Sequence, residues 1–313
     1  MSGARAARVL AQAKVNLFLR VLAREDSGYH QIETLFCRLE LADVVTVRVG
    51  GSARTLSCDG PAMPPGGLGP SERNLAHRAA AAYAAVAGWP DGFEIAVEKH
   101  IPVGGGLGGG SADAGAVLRA LNALAPRPQP HARLLEIAVE LGADVPFLTS
   151  ESPLALAWGR GERMLALPPL PARDVLLHCF PFGVNTADAY RWLDESRAGR
   201  GYASTPALLG VDSLSSWDAV SRLARNDFET AVGLRHLEIA EALVELDSMK
   251  ESAGATPHAG APPLLLARMS GSGSTVFLVY DAGVTTIEDW GVPGVRLVRT
   301  RTASRVEEVE MIE

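Results

Sequence analysis

Six of the seven residues from Gly104 to Gly110 are glycine, and an alanine-rich stretch, Ser111–Leu124, follows without a break. Glycine lets backbone N–H groups converge on an anion and tolerates positive φ. A helix N-terminus adds unsatisfied N–H groups and the positive end of its dipole. Together they make an anion site. Ser111, where the helix should begin, either caps it or turns its hydroxyl toward a phosphate or its Mg2+. Three loop designs compete. A Walker loop ends in Gly-Lys-Ser/Thr, but here Gly110 is followed directly by Ser111. Gly104-x-Gly106-x-x-Gly109 matches the dinucleotide pattern, which also wants an acidic residue about 20 positions later. The sequence has PRPQPHA (Pro126–Ala132) there instead. The third design is a glycine loop with a proline just before it and a Ser-Ser or Ser-Ala pair at the helix start. Ile101–Ala116 (IPVGGGLGGGSADAGA) fits that form, with Pro102, Val103 and Leu107 among the glycines and Ser111-Ala112 at its end. A flexible linker is the bland alternative, and the tight frame of strand and helix argues against it.

Other residues carry chemistry of their own. Asp144, in LGADVPF, follows the glycine stop Gly142 and precedes Pro146. It reads either as a carboxylate base for a hydroxyl proton or as the cap of a short turn. In AKVNLFL, strand alternation puts Lys14 and Asn16 on one face, Val15 and Leu17 on the other. A lysine there can hold a carboxylate ionised or steady a moving phosphoryl group. It can equally be an edge-strand lysine in solvent. Tyr29 and His30 follow Gly28, and such a pair can stack on a pyrimidine and hydrogen-bond its edge. A surface turn is the alternative. Gly271, Ser272 and Gly273, within Ser270–Ser274, form either a second phosphate-closing loop or a tight hairpin. Asn74 reads as a helix cap, and Met269, Trp158 and Trp192 as core.

Composition removes several function classes. The net charge is −7 and no run of five Lys/Arg occurs, so no nucleic-acid partner is expected. Three cysteines, none in CxxC spacing, point to no disulfide framework or zinc site and to a reducing cytoplasm. Seven histidines without an HxxxH or HExxH pair leave no direct metal site. No apolar run reaches the ~18 residues of a membrane helix, and the N-terminus lacks a signal-type apolar core.

These residues must be positioned by a mixed set of elements. Strands are expected at 43–50, 93–102, 153–167 (as a hairpin), 174–181 and 294–302, with a further pair flanking the glycine loop at 270–274. Helices are expected at 74–88, 111–124, 131–142 and 228–248. Polar, Gly/Pro-bearing loops are expected at 61–70 and 252–263. The order is α+β, with a soft boundary near 150–172 and domains of 1–160 and 161–313.

AQAKVNLFLRV near the N-terminus, the glycine stretch and MSGSGSTVFLV (Met269–Val279) resemble, in order, the three motifs of the galactokinase, homoserine, mevalonate and phosphomevalonate (GHMP) kinase superfamily. Gly28-Tyr29-His30, Gly142–Pro146 (GADVP), Gly159–Glu162 (GRGE) and Asn226–Glu229 (NDFE) resemble the branch of that family acting in the non-mevalonate isoprenoid pathway. This sequence departs from it in having Ser-Ala at 111–112 where Ser-Ser is common, and around Arg20 and Ala23–Ser27.

The resemblance implies a two-domain GHMP-kinase fold. Its N-terminal domain would be like the second domain of ribosomal protein S5, its C-terminal domain a ferredoxin-like α/β sandwich, with the active site in the interdomain cleft. It implies ATP with Mg2+, and phosphorylation of the C2 hydroxyl of a small-molecule acceptor, 4-diphosphocytidyl-2-C-methyl-D-erythritol. Lys14 and Asp144 would be catalytic, residues 102–112 would hold ATP, and Asn16, Tyr29, His30, Thr186 and Gly271–Gly273 would hold the acceptor. Thr186 comes from Phe182–Tyr190 (FGVNTADAY), which matches a segment lining the cytidine pocket. A monomer or weak homodimer is expected.

Overall fold

A computed structural model describes residues 5–198, 210–255, 264–281 and 294–312. The elements in order are β1 (Arg5–Arg24), β2 (His30–Val49), β3 (Arg54–Asp59), α1 (Leu75–Ala87), β4 (Phe93–Glu98), α2 (Gly109–Leu124), α3 (His131–Val139), α4 (Val145–Thr149), β5 (Leu154–Gly159) and β6 (Arg163–Leu167). Then come β7 (Asp174–Cys179), α5 (Thr186–Arg197), α6 (Trp217–Leu223), α7 (Phe228–Gly233), α8 (Leu237–Ala255), β8 (Leu264–Met269), β9 (Val276–Tyr280), β10 (Arg296–Arg301) and β11 (Glu310–Ile312).

Two sheets organise the chain. The first has seven strands in the order β11-β1-β2-β4-β3, with β5 also on β2 and β6 on β5. The second has four, β10-β7-β9-β8, all antiparallel. β2 is long enough for two partners on one edge: Val44–Val49 pairs with β4, and Ile32–Cys37 pairs with β5. The 20-residue β1 accompanies it through register shifts after Gln12, Asn16 and Val21. Such shifts re-aim side chains. Both strands of the β5–β6 hairpin, which straddles residue 160, sit in the first sheet, and β11 returns to that sheet from the chain's end.

Helix α2 packs on the first sheet through small residues. Ala112, Ala114, Gly115, Ala116 and Ala120 are all buried. A Cβ on Gly115 would lie 2.5 Å from the carbonyl oxygen of Leu148, so α2 and α4 meet backbone to backbone. This contact sets where the start of α4 lies.

Four expectations are corrected. The strand at 43–50 is only the end of β2, whose earlier part carries pairing residues of mixed polarity. The helix expected over 228–248 is two helices: α7 ends at Gly233, and the amides of Arg235 and His236 both bond the Val232 carbonyl before α8 begins. Trp158 is 38% exposed rather than core, whereas Met269 is fully buried. The expected 252–263 loop starts inside α8, which runs to Ala255, and its remainder lies outside the described residues.

Candidate active site

The glycine loop leaves β4, passes Pro102 and enters α2. Gly104, Gly106 and Gly108 have φ of 81°, 77° and 74°, a region costly for other residues. Gly108 is the N-cap of α2, and the Ala112 amide bonds its carbonyl at 2.8 Å. The loop also has no room for side chains. A Cβ on Gly106 would strike the Ser270 carbonyl, and one on Gly108 would lie 2.9 Å from Lys14 Cγ. The second glycine loop grips the first: Ser270 Oγ donates to Gly106 O at 2.9 Å, and the Thr275 amide to Gly105 O at 3.1 Å. Pro102–Ser111 line a cavity of about 350 Å³ together with Asn74, Thr186, Ser272, Gly273 and two residues the motifs did not point to, Lys99 and Asp113. Leu107 is buried, yet its carbonyl accepts the Lys14 amide at 2.9 Å. Ala112 is buried in the helix rather than lining this cavity.

Beneath the loop lies a buried ionic cluster. Lys99 Nζ donates to Asp43 Oδ2 and, at 2.7 Å, to Asp113 Oδ2 on α2. Asp43 Oδ1 accepts the amides of His100 and Ile101, at 2.5 and 2.8 Å. One carboxylate thus fixes the chain entering the loop, while the lysine fixes the helix leaving it. Burial pushes the Asp113 carboxyl up to about 7 despite the pull of Lys99. A Walker-type lysine is missing after Gly110, but Lys99 brings an ammonium from the end of β4 to the same helix start. Its Nζ lies 3.4 Å from where a Gly109 Cβ would be.

Lys14 and Asn16 do share a face, as alternation predicts. Lys14 Nζ donates to Asn16 Oδ1 at 2.8 Å and lies 3.3 Å from Asp144 Oδ2. Asn16 Nδ2 donates to Thr34 Oγ1 at 2.8 Å, and its Oδ1 also accepts the Gly271 amide at 3.0 Å. Lys14 is no solvent-facing edge lysine: its side chain is 3% exposed, against 30% for Asp144. Asp144 occupies the N-cap position of α4 without making the side-chain capping bond, which leaves its carboxylate for other work. The other end of α4 is anchored by Arg38, whose Nη2 donates to the carbonyls of Phe147 and Ser150 at 2.8 and 2.9 Å. Burial lowers that guanidinium to about 9.

The NDFE segment holds the second glycine loop from behind. Asn226 Nδ2 donates to the Met269 and Gly271 carbonyls, each at 2.7 Å, and Glu229 Oε1 accepts the Met269 amide at 2.9 Å. Burial raises Glu229 to about 7.

A larger cavity of about 1310 Å³ adjoins. Its wall includes Tyr29, His30, Trp158, Arg160, Thr186, Tyr190 and Asp194, and also Gly142, Ala143 and Pro146 around Asp144. His30 stacks on Tyr190 with centroids 4.3 Å apart, and its Nε2 is 2.9 Å from Asp194 Oδ1. Thr186 lines both cavities, and its hydroxyl shares a 3.1 Å hydrogen bond with Ser272 Oγ. Tyr29, His30, Pro102–Ser111, Thr186, Ser272 and Gly273 thus line one or both cavities, whereas Lys14, Asn16, Asp144 and Gly271 line neither and are joined to one another by polar contacts, and Ala112 is buried in α2.

Among the described residues no group of three or more His, Cys, Asp or Glu side chains could hold a metal ion. No helix there is long and apolar enough to cross a membrane.

An α+β pair of sheets with a glycine loop opening a helix, and a lysine–aspartate pair beside it, defines a GHMP-type small-molecule kinase. The family model for the N-terminal domain of GHMP kinases matches residues 74–151. The 4-diphosphocytidyl-2-C-methyl-D-erythritol kinase of Anaeromyxobacter dehalogenans (strain 2CP-C) is 39% identical over 309 residues, covering 95% of this chain and 90% of its own length. That of Deinococcus radiodurans is 36% identical, covering 87% and 84%. A crystal structure of 4-(cytidine 5'-diphospho)-2C-methyl-D-erythritol kinase superposes with a TM-score of 0.68 at 32% identity, over 94% of this chain and 98% of its own. A homoserine kinase from Cytophaga hutchinsonii shares the fold, with a TM-score of 0.64 at 16% identity over 100% and 98% of the chains. The chain belongs to the 4-diphosphocytidyl-2-C-methyl-D-erythritol kinase family.

Proposed function

We propose that the protein transfers the γ-phosphoryl group of ATP to the C2 hydroxyl of 4-diphosphocytidyl-2-C-methyl-D-erythritol. The observation that carries this reading is the Lys14–Asp144 pair, with Lys14 packed against Gly108 of the first glycine loop and bonded through Asn16 to Gly271 of the second. The smaller cavity suits the nucleotide phosphates, which the amides of Gly104–Gly110 and the start of α2 would hold. The larger suits the acceptor, with Tyr29 and His30 at its cytosine, Thr186 beside them, and Gly271–Gly273 closing over its diphosphate. Asn16 orients the acceptor hydroxyl.

In the reaction, Asp144 takes the proton from that hydroxyl as its oxygen attacks the γ-phosphorus, and ADP departs. Lys14, 3.3 Å from Asp144, orients its carboxylate and offsets negative charge on the moving group. Ser111 and Asp113 would hold the Mg2+ that accompanies ATP, and that ion would supply positive charge against the phosphates. The oxygen donors present suit it: Ser111 lines the phosphate cavity, as does Asp113, whose Oδ1 is buried with no hydrogen-bond partner among the described residues. The proposed setting is the cytoplasm, in keeping with three free cysteines, and the proposed state a monomer or weak homodimer.

The test is ADP release with the cytidylated acceptor, with homoserine and mevalonate as controls. Turnover with the first alone is expected. Silence with it, and turnover with either control, would overturn the assignment.

A further inference from the structure

Arg160 stands where two turns meet. The first, between β1 and β2, is closed by the Glu25 amide on the Tyr29 carbonyl at 2.7 Å and the Gly28 amide on the Glu25 carbonyl at 2.9 Å. The second, between β5 and β6, has Gly159 and Gly161 at φ of 74° and 107°, and the Arg160 amide donates to Glu162 Oε2 at 2.6 Å. Pairing of β5 with β2 sets Gly159 opposite Ile32, so the two tips lie side by side. From there the Arg160 guanidinium donates to the Glu25 carboxylate and, at 3.3 Å, to Ser27 Oγ. It lies over the Tyr29 ring, 4.1 Å from its centroid.

Tyr29 is 60% exposed. A tyrosine that open to water keeps its rotamer freedom unless something holds it. The guanidinium, tethered by Glu25, covers one face of the ring and leaves the other to a flat ligand. Tyr190, the other tyrosine on this cavity wall, already has His30 stacked on it.

We propose that Arg160 is a positioning residue: it fixes the Tyr29 ring as a platform for the pyrimidine base of the acceptor, and so sets affinity for that end of the molecule without touching the reacting atoms. This rests on the acceptor assigned above. The guanidinium, tyrosine and base would form three successive layers, with Glu25 neutralising the outermost.

The experiment is steady-state kinetics of Arg160→Gln with the cytidylated acceptor. The acceptor KM should rise about two- to fivefold, the range of an exposed cation–π contact. The kcat at saturating acceptor and the KM for ATP should stay unchanged. In a Tyr29→Ala background the same substitution should add nothing, because the platform is already gone. An unchanged acceptor KM overturns the proposal, and so does an equal rise without Tyr29. If the wild-type protein does not phosphorylate the cytidylated acceptor, the functional reading fails separately. CMP titration by calorimetry then decides the role of Arg160: weaker binding in Arg160→Gln supports it, and equal binding overturns it.

Discussion

Beside and beneath the first glycine loop four charged groups are withdrawn from water. The side chains of Lys14, Lys99, Asp43 and Asp113 are each no more than 3% exposed, and each is tied to a neighbour by a short polar contact. Around the larger cavity the side chains of Arg24, Arg160 and Arg163 are 57%, 47% and 69% exposed, and Tyr29 is 60% exposed. The contrast suits the work proposed for each end. Moving a phosphoryl group requires charges that act strongly and do not reorganise, which calls for a low-dielectric setting and a rigid frame. Recognising a base requires flat area and a few polar edges, which survive exposure.

The contrast can be broken first at its centre. Asp144→Asn should lower kcat by about 10²–10⁴-fold, the usual contribution of a positioned base, with ATP binding retained in calorimetry. Full activity would remove Asp144 from the base role. Next, stability should respond unequally to charge removal at the two ends. Asp43→Asn leaves Lys99 and two loop amides with an impaired partner, and should cost about 3–5 kcal/mol in urea unfolding. Arg163→Gln, whose pair with Glu162 is exposed, should change it by less than about 1 kcal/mol. Similar losses at both would erase the distinction.

A further effect, on the pH dependence of stability, concerns the brace behind the second glycine loop. Burial holds Glu229 at about 7, above its usual 4.5. Between those values the unfolded chain releases the proton while the folded one retains it, so stability falls as pH rises toward 7 and levels off above it. Glu229→Gln lacks this penalty. Its stability relative to the wild type should therefore rise between about pH 4.5 and 7, as read by urea unfolding across that range. A constant difference would mean that Glu229 ionises freely in the fold.

What could be read from the sequence was local. The glycine loop, its helix and the shared face of Lys14 and Asn16 follow from backbone freedom and strand alternation, and the structure has all three. The buried ionic cluster was not legible, because Asp43 and Lys99 are 56 positions apart. Only the pairing of Val44 with Glu98 brings them together. Arg38 was hidden for the same reason: nothing near it in sequence announces the carbonyls of Phe147 and Ser150. The split between α7 and α8 was missed because apolar periodicity continues across a break that hydrogen bonding at Val232 decides. Trp158 was misplaced because its size suggests burial, whereas its position near the hairpin tip puts it on a cavity wall.

Gly115 lies along α2, away from both cavities, yet its bare α-carbon is what lets the Leu148 carbonyl approach. A methyl group there has backbone on the far side and no flexible side chain to displace, so α2 and α4 would have to separate. Asp144 rides at the start of α4, 3.3 Å from Lys14. In a mutational scan scored by growth or turnover, position 115 would therefore be as intolerant as Asp144, although it lines neither cavity.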